Sequence, residues 1–170
     1  MCIIYFINLY GGIKLSIFNK NYWKHRGEKN YIDKTTDYIN SAGFVSKTKY
    51  FIWVDLKNFK VNILMGSKNN WQLIKSYICT IGKKTTPTPV GTYEVGIKGL
   101  YFGIEKGYKC WYYTQFKGNY LFHSIIYNLD GSVRDGRLGM ALSDGCIRLT
   151  KVDAKWIYDN IPAGSKVVIN

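Results

Sequence analysis

Two apolar runs, at residues 50–56 and 59–65, are separated by the polar pair Lys57-Asn58. Apolar and polar residues alternate in the second run, which is the period of a strand whose side chains point to opposite faces of a sheet. A two-residue polar break between such runs is typical of a tight turn. The pattern therefore predicts two strands joined as a β-hairpin.

Further β-rich segments follow at close spacing, at residues 71–81, 91–96, 110–116 and 119–126. They are rich in β-branched and aromatic residues, and they are separated by turns that contain Gly or the sequence Thr86-Pro87-Thr88-Pro89. A series of short strands of this kind favours a β-sandwich or a β-barrel. We therefore predict a mainly β fold.

One helix is signalled, close to the carboxyl end of the chain. Thr150 suits the N-cap position, and Asp153 follows three residues later as in a capping box. The predicted apolar face consists of Val152, Trp156 and Ile157. We expect this short helix to end near residue 161 and to be followed by a last strand at 166–169.

The segment at residues 19–49 is polar, basic and weakly periodic. This pattern is compatible with a surface arm, a short helix or the tail of a preceding linker, and it assigns no function. A chain of 170 residues fits one globular domain. We therefore divide the sequence into an arm or linker at 1–48 and a folded domain at 49–170.

The charge balance favours anionic partners. Lys and Arg outnumber Asp and Glu by 24 to 11, which gives a formal net charge of +13. Nucleic acid, anionic lipid and an acidic cell-wall polymer would all satisfy that charge. The basic residues form no run of five, and the sequence contains neither a zinc-finger spacing nor a phosphate-binding loop. We therefore do not expect a nucleic-acid partner.

The four cysteines, Cys2, Cys79, Cys110 and Cys146, lie far apart and form no Cys-x-x-Cys pair. They predict neither a metal site nor a disulfide framework. Residues 1–10 are apolar, but no basic residue precedes them and no convincing cleavage site follows, so they make a poor signal peptide. We also expect no transmembrane helix, because no apolar stretch approaches about 20 residues.

Candidate chemistry is concentrated around Cys146, which follows Gly145 and precedes a short apolar run at the expected mouth of a strand. Gly permits close approach of a substrate, and the peptide N–H groups of Gly145 and Cys146 could face a developing oxyanion. A thiol nucleophile needs a base, which could hold it as an imidazolium-thiolate pair. His123 lies in an apolar-aromatic segment, whereas His25 lies in the polar amino-terminal region. From the residues alone, an inert buried thiol and a core imidazole are the commoner explanations.

A set of motifs decides between these explanations, because in this order they resemble the catalytic domain of the L,D-transpeptidase family. Phe122-His123-Ser124 and the segment Ser143-Asp144-Gly145-Cys146-Ile147-Arg148-Leu149 are similar to its active-site signature. The turn at 86–93, the pair Leu138-Gly139 and the segments 153–158 and 161–167 extend the resemblance over about residues 49–170. One departure is Asp144, where the family carries His.

The resemblance implies a β-sandwich or β-barrel of mixed sheets with one short carboxyl-terminal helix packed on it. It also implies that Cys146 attacks the amide before the terminal D-Ala of a peptidoglycan tetrapeptide stem, with His123 as base and the Ser124 carbonyl or another backbone acceptor orienting its ring. The amine of a neighbouring stem then resolves the thioester into a cross-link between third residues. No metal or organic cofactor is implied.

Three further residues are candidates for substrate contact. Arg148 is expected either to hold a stem carboxylate or to lock its loop through an ion pair, and Ser143 to brace the loop. Asp144 would raise the thiol pKa if it pointed at the sulfur; otherwise it binds its own loop or meets a substrate ammonium.

Two other functions remain open. An L,D-carboxypeptidase would use the same residues but transfer the acyl group to water, and a decayed domain would only bind the wall. All three functions imply a monomer that acts on peptidoglycan outside the membrane, with anionic wall polymers as further partners.

Overall fold

The computed structural model describes residues 25–170, so the expectations for residues 1–24 lie outside its described part. Within the described residues there are two α-helices, α1 (His25–Ser41) and α2 (Lys151–Asn160), and a short 3-10 turn spans Ile104–Lys106. The strands are β1 (Tyr50–Asp55), β2 (Lys60–Ser67), β3 (Asn70–Ile78), β4 (Ile81–Gly82), β5 (Gly91–Glu94), β6 (Lys98–Phe102), β7 (Lys109–Lys117), β8 (Tyr120–Ser124), β9 (Ile126–Tyr127), β10 (Val133–Asp135), β11 (Ala141–Ser143), β12 (Ile147–Leu149) and β13 (Lys166–Ile169).

The first sheet contains the predicted hairpin and has the strand order β3-β2-β1-β13-β5. β1 and β2 pair antiparallel from Tyr50 opposite Met65 to Asp55 opposite Lys60. The connecting turn is longer than the predicted two residues because the Asp55 carboxylate accepts the Asn58 N–H at 3.0 Å, which stabilises a wider loop. β13 adds to β1 in parallel, so this sheet is mixed.

The second sheet has the order β10-β9-β7-β8-β12, with β6 also paired to β7. It is mixed as well, because β12 runs parallel to β8. Both sheets and α2 contribute to one apolar core, which includes Ile52, Val61, Phe122, Ile147, Ile157 and Val167. The predicted mainly β fold of mixed sheets with a carboxyl-terminal helix packed on it is confirmed.

The cap predicted for α2 is present. The Thr150 hydroxyl accepts the N–H of Asp153 at 3.1 Å and donates to its carboxylate at 2.6 Å. The predicted apolar face is partly wrong, because Val152 is 77% exposed. Ala154 and Ile157 are the buried residues of the helix, which packs on β7 and β8.

The helix α1 is one of the three structures that the polar segment at 19–49 left open. Its Ile39 is buried with Phe51, Leu64 and Trp71 against the first sheet. The Asn40 side chain accepts the N–H of Trp71 at 2.7 Å and donates to its carbonyl at 3.0 Å. The helix therefore covers the face of the sheet that α2 and the second sheet leave open.

Several short strands, among them β6, β10 and β11, have no counterpart among the predicted elements. They contain three to five residues in segments rich in Gly and charge, and only pairing with a neighbour makes them strands. No helix among residues 25–170 is long and apolar enough to span a membrane.

Candidate active site

The parallel pair β8 and β12 brings the predicted nucleophile and base together. Arg148 lies opposite His123 in the ladder, and Cys146 precedes Arg148 by two residues on the same face of the sheet. Cys146 lies one residue before β12 begins, and His123 lies on β8, the strand that pairs with β12. Both line one cavity of about 110 Å³, whose other walls are Phe102, Tyr108, Cys110, Ile126, Ser143, Asp144 and Arg148.

The Cys146 thiol is half-buried, and its sulfur lies 3.6 Å from the Asn119 carbonyl oxygen. Burial raises its pKa above the ordinary value, and this effect exceeds the opposing influence of a backbone hydrogen bond at Leu121 and of the Arg148 charge. Asp144 raises the pKa too, but it is the smallest of these causes. The free protein therefore keeps a neutral thiol at neutral pH.

The His123 ring is buried, and its Nδ1 lies 2.6 Å from the Ser124 carbonyl oxygen. Because a carbonyl only accepts, Nδ1 carries the proton and Nε2 keeps its lone pair. Phe102 packs edge-on against the ring, at 5.1 Å between centroids. Burial is the main cause that lowers the pKa of His123 to about 4; the hydrogen bond to the Ser124 carbonyl opposes this shift, and the Arg148 charge adds to it.

The lowered pKa of His123 and the raised pKa of Cys146 contradict the expected imidazolium-thiolate pair in the resting protein. Burial penalises the charged form of both residues, so the resting pair consists of a neutral thiol and a neutral imidazole. Such a pair exchanges its proton only when a reacting group supplies the driving force.

The loop before Cys146 is held by the Ser143 hydroxyl, which accepts the N–H of Gly145 at 3.1 Å and donates to the carbonyl of Cys146. The Gly145 N–H is therefore already engaged, and of the two expected oxyanion donors only the N–H of Cys146 remains a candidate. Gly145 has φ +108°, and a Cβ there would lie 2.4 Å from Cε1 of Tyr120. Both the backbone conformation and the contact with Tyr120 require Gly at this position.

The Thr-Pro turn braces this loop from the other side. The buried Thr88 hydroxyl donates to the carbonyl of Gly145 at 2.9 Å and accepts the N–H of Gly82 at 2.8 Å. Thr86 donates to the carbonyl of Ser143 at 3.3 Å. The turn thus fixes the residues on both sides of Asp144, a structural role that the sequence pattern did not reveal.

Asp144 lies at the mouth of the cavity and pairs with Lys83, whose Nζ is 2.6 Å from its carboxylate. The hydrogen bond to Lys83 is the main reason that the pKa of Asp144 is lowered. The carboxylate is 77% exposed and also accepts from Thr86 at 3.3 Å. It therefore binds the neighbouring loop, which agrees with its small effect on the sulfur.

Arg148 is held inside the cavity by Asp135, with 3.0 Å between Nη1 and the carboxylate oxygen. The same carboxylate accepts two bonds from Arg137, at 2.9 and 3.1 Å. The hydrogen bond with Arg137 is the main cause that lowers the pKa of Asp135 to about 2. One carboxylate thus faces two guanidinium groups, and Arg148 retains positive charge beside the reactive pair.

Sequence reasoning missed Asp135 and the cavity walls formed by Phe102, Tyr108 and Ile126. Asp135 stands in a Gly-rich, charged excursion that carried no strand signal. Cys110 also lines the cavity, but burial raises its pKa to about 12, which makes it inert as a nucleophile. No group of three metal-ligating side chains occurs within the described residues.

The comparisons with known proteins agree with this architecture. A family model of the L,D-transpeptidase catalytic domain matches residues 49–169. The chain is 37% identical over 128 residues to the putative L,D-transpeptidase YciB of Bacillus subtilis (strain 168), which covers 70% of this chain and 66% of that protein.

Two solved structures have the same fold. One is a fused Zn-dependent amidase/peptidase/peptidoglycan-binding domain-containing protein from Clostridium acetobutylicum ATCC 824, at 42% identity and TM-score 0.72, over 84% of this chain and 61% of that one. The other is L,D-transpeptidase 3 from Mycobacterium tuberculosis with a faropenem-derived adduct, at 19% identity and TM-score 0.55, over 72% and 60%. The chain thus spans about three fifths to two thirds of the length of these proteins.

Proposed function

Because this chain belongs to the L,D-transpeptidase catalytic domain family, we propose that it cross-links third residues of peptidoglycan peptide stems through a thioester on Cys146. The observation that carries the proposal is the shared cavity, whose wall contains both a thiol and an imidazole with a free nitrogen that can accept a proton. Acyl transfer to a protein side chain requires a nucleophile and an oriented base in the same cavity.

In the first half-reaction the sulfur of Cys146 attacks the carbonyl carbon of the third stem residue while Nε2 of His123 takes the thiol proton. The negative charge then moves to the carbonyl oxygen, which the N–H of Cys146 stabilises. When the C–N bond breaks, His123 returns the proton to the leaving amine of D-Ala, and the thioester remains.

In the second half-reaction the side-chain amine of a neighbouring stem attacks the thioester carbonyl. His123 removes a proton from that amine and gives it to the departing sulfur, which restores the neutral thiol. The products are one new amide between third residues and the free enzyme. Attack by water would instead release a tripeptide, which is the carboxypeptidase reaction.

The burial of His123 determines the protonation state in which it enters this mechanism. Its pKa of about 4 means that the imidazole is neutral and able to accept a proton throughout the physiological range. The imidazolium formed during attack is stabilised by the Ser124 carbonyl, the partner of Nδ1–H. Arg148 acts in the opposite sense on the two partners, because its charge favours the thiolate and disfavours the imidazolium.

The remaining site residues hold the loop in position. Ser143 braces the backbone of Gly145 and Cys146, which aims the proposed oxyanion donor. Asp144 and Lys83 form an exposed pair at the cavity mouth, where a substrate ammonium could exchange with Lys83 for the carboxylate. Arg148 is tied to Asp135 and gives the cavity a positive potential that suits the carboxylate of a stem.

The proposed substrate sets the location and the partners. Peptide stems are cross-linked outside the membrane, so we propose that the chain acts at the wall as a monomer. The net charge of +13 is complementary to anionic wall material.

The test incubates purified disaccharide tetrapeptides with the protein and analyses the products by mass spectrometry. Cys146→Ala should abolish the reaction, whereas Cys110→Ala, which removes the other thiol of the same cavity, should retain it. Cross-linked dimers formed by the unmutated chain and by Cys110→Ala support the proposal. Tripeptide monomers alone would make the chain a carboxypeptidase.

A second experiment distinguishes the enzyme from a wall-binding domain without activity. A carbapenem acylates an activated thiol, so the protein should gain the mass of one drug molecule, and peptide mapping should locate it at Cys146. An unlabelled yet folded protein, together with unchanged muropeptides, would favour the binding domain.

A further inference from the structure

Two lysine ammonium groups converge on a single indole ring behind the active site. Nζ of Lys109 lies 4.5 Å from the centroid of the Trp111 ring, and Nζ of Lys151 lies 4.2 Å from it. Lys109 also lies 5.0 Å from the ring of Tyr101, and Lys151 lies 5.6 Å from that of Tyr127. We refer to these five residues as the lysine-indole cluster.

The cluster has a fixed geometry. The backbone N–H of Trp111 donates to the Ser124 hydroxyl at 2.8 Å, and Tyr101 packs edge-on against the indole at 5.7 Å. Both lysines are half-buried against the rings. Because the two distances to the shared ring centroid are 4.5 and 4.2 Å, the ammonium groups lie no more than about 9 Å apart. Their packing against the rings reduces the conformational entropy that an anion would otherwise have to overcome on binding.

Within the side chains that the structure describes, no carboxylate forms an ion pair with either lysine of the cluster. The acidic residue nearest to Lys151 in sequence, Asp153, is bonded to the Thr150 hydroxyl. Lys151 also begins α2, so the amino-terminal end of the helix dipole adds positive potential at the same place.

Like charges brought together without a counter-ion indicate a site for an anion, since cation–π contacts offset only part of their repulsion. We propose that the lysine-indole cluster binds a polymer of phosphodiester-linked polyols in the cell wall. Each ammonium would pair with one phosphate, and the polyol carbons between phosphates would pack on the exposed edges of the aromatic rings. A chain with repeated anions suits two separate cations better than a single carboxylate does.

The lysine-indole cluster and the active-site cavity lie on opposite sides of the second sheet. Cys110 and Phe102 line the active-site cavity, whereas their strand neighbours Trp111 and Tyr101 face the other side of the sheet. A polymer on that side would hold the enzyme at the wall while the cavity stays open to peptide stems. This inference rests on the proposed function for its location, but the binding itself is measured independently of catalysis.

The test measures binding of the full chain to soluble poly(glycerol phosphate) by titration calorimetry at two salt concentrations. The variant Lys109→Gln/Lys151→Gln should bind about 30-fold more weakly, on the order of fivefold for each ammonium lost near an anionic surface. The matched control is Lys57→Gln/Lys68→Gln, which removes the same charge from exposed turns of the first sheet and should bind as the unmutated chain does.

Equal affinities of the two double variants would overturn the proposal, because net charge alone would then explain the binding. Absence of binding by the unmutated chain would overturn it as well. Binding to phosphatidylglycerol vesicles but not to the polymer would assign the cluster to a membrane surface instead. Cross-linking of muropeptides in solution is measured on the same samples, so that a failure of the catalytic proposal is distinguishable from a failure of this one.

Discussion

Removing the carboxylate of Asp135 should destabilise the protein by about 2–3 kcal/mol at pH 7. This carboxylate compensates Arg148, whose side chain is only 12% exposed, and it is itself 18% exposed. Its pKa of about 2, against an ordinary 3.8, corresponds to at most roughly 2 kcal/mol of preferential stabilisation of the folded state, of which the hydrogen bond to the exposed Arg137 is the largest cause and the Arg148 charge a smaller one. Asp135→Asn also leaves the Arg148 charge without a partner in the cavity, which adds to the cost.

The pH dependence follows from the direction of the shift. The folded pKa of Asp135 is depressed, so its contribution is fully present above the unfolded value and is lost as the pH falls through the folded value. Urea unfolding of the unmutated chain and of Asp135→Asn should therefore differ most at pH 7 and less at pH 3.

The matched control is Asp159→Asn, which breaks the exposed pair between Asp159 and Lys155. An exposed pair four residues apart on a helix is worth about 0.3–0.5 kcal/mol, so this variant should unfold almost as the unmutated chain does. If Asp135→Asn costs no more than Asp159→Asn, the argument that one carboxylate stabilises the cavity charge is refuted.

Three other perturbations test the site. Gly145→Ala should reduce acylation by a carbapenem more than 100-fold, because the new Cβ must displace Tyr120; a near-normal rate would contradict the required φ. In a urea titration, Thr88→Val should lower the free energy of unfolding by about 2 kcal/mol, since two buried backbone groups lose their hydrogen-bond partner. The control Thr92→Val, at an exposed position of β5, should have little effect in the same titration. The pKa of His123, lowered to about 4, predicts that the rate of acylation does not fall between pH 7 and 5. It also predicts that the free energy of unfolding declines by about 1.4 kcal/mol per pH unit from pH 6.5 towards 4, because the unfolded chain takes up the proton first. The variant His123→Gln should flatten that decline.

Much of the architecture follows from local patterns in the sequence. The hairpin of β1 and β2, the strand at 166–169 and the cap of α2 depend on side-chain period, turn residues and hydrogen bonds within a few positions. The motifs around His123 and Cys146 likewise lie in continuous segments, and so the family could be inferred from them. The two helices differ in this respect. α2 carries its own cap, whereas α1 becomes recognisable only when its Ile39 meets the first sheet.

What the sequence determined by itself was the class of fold, the family and the identity of the nucleophile and base candidates. Tertiary structure alone decided the environment of these residues, because pKa values and hydrogen-bond partners depend on groups that are distant along the chain. Asp135 reaches Arg148 and Thr88 reaches Gly145 only after the sheets have formed. The neutral state of Cys146 and His123 has the same origin, since burial is a property of the packed core and of no single segment.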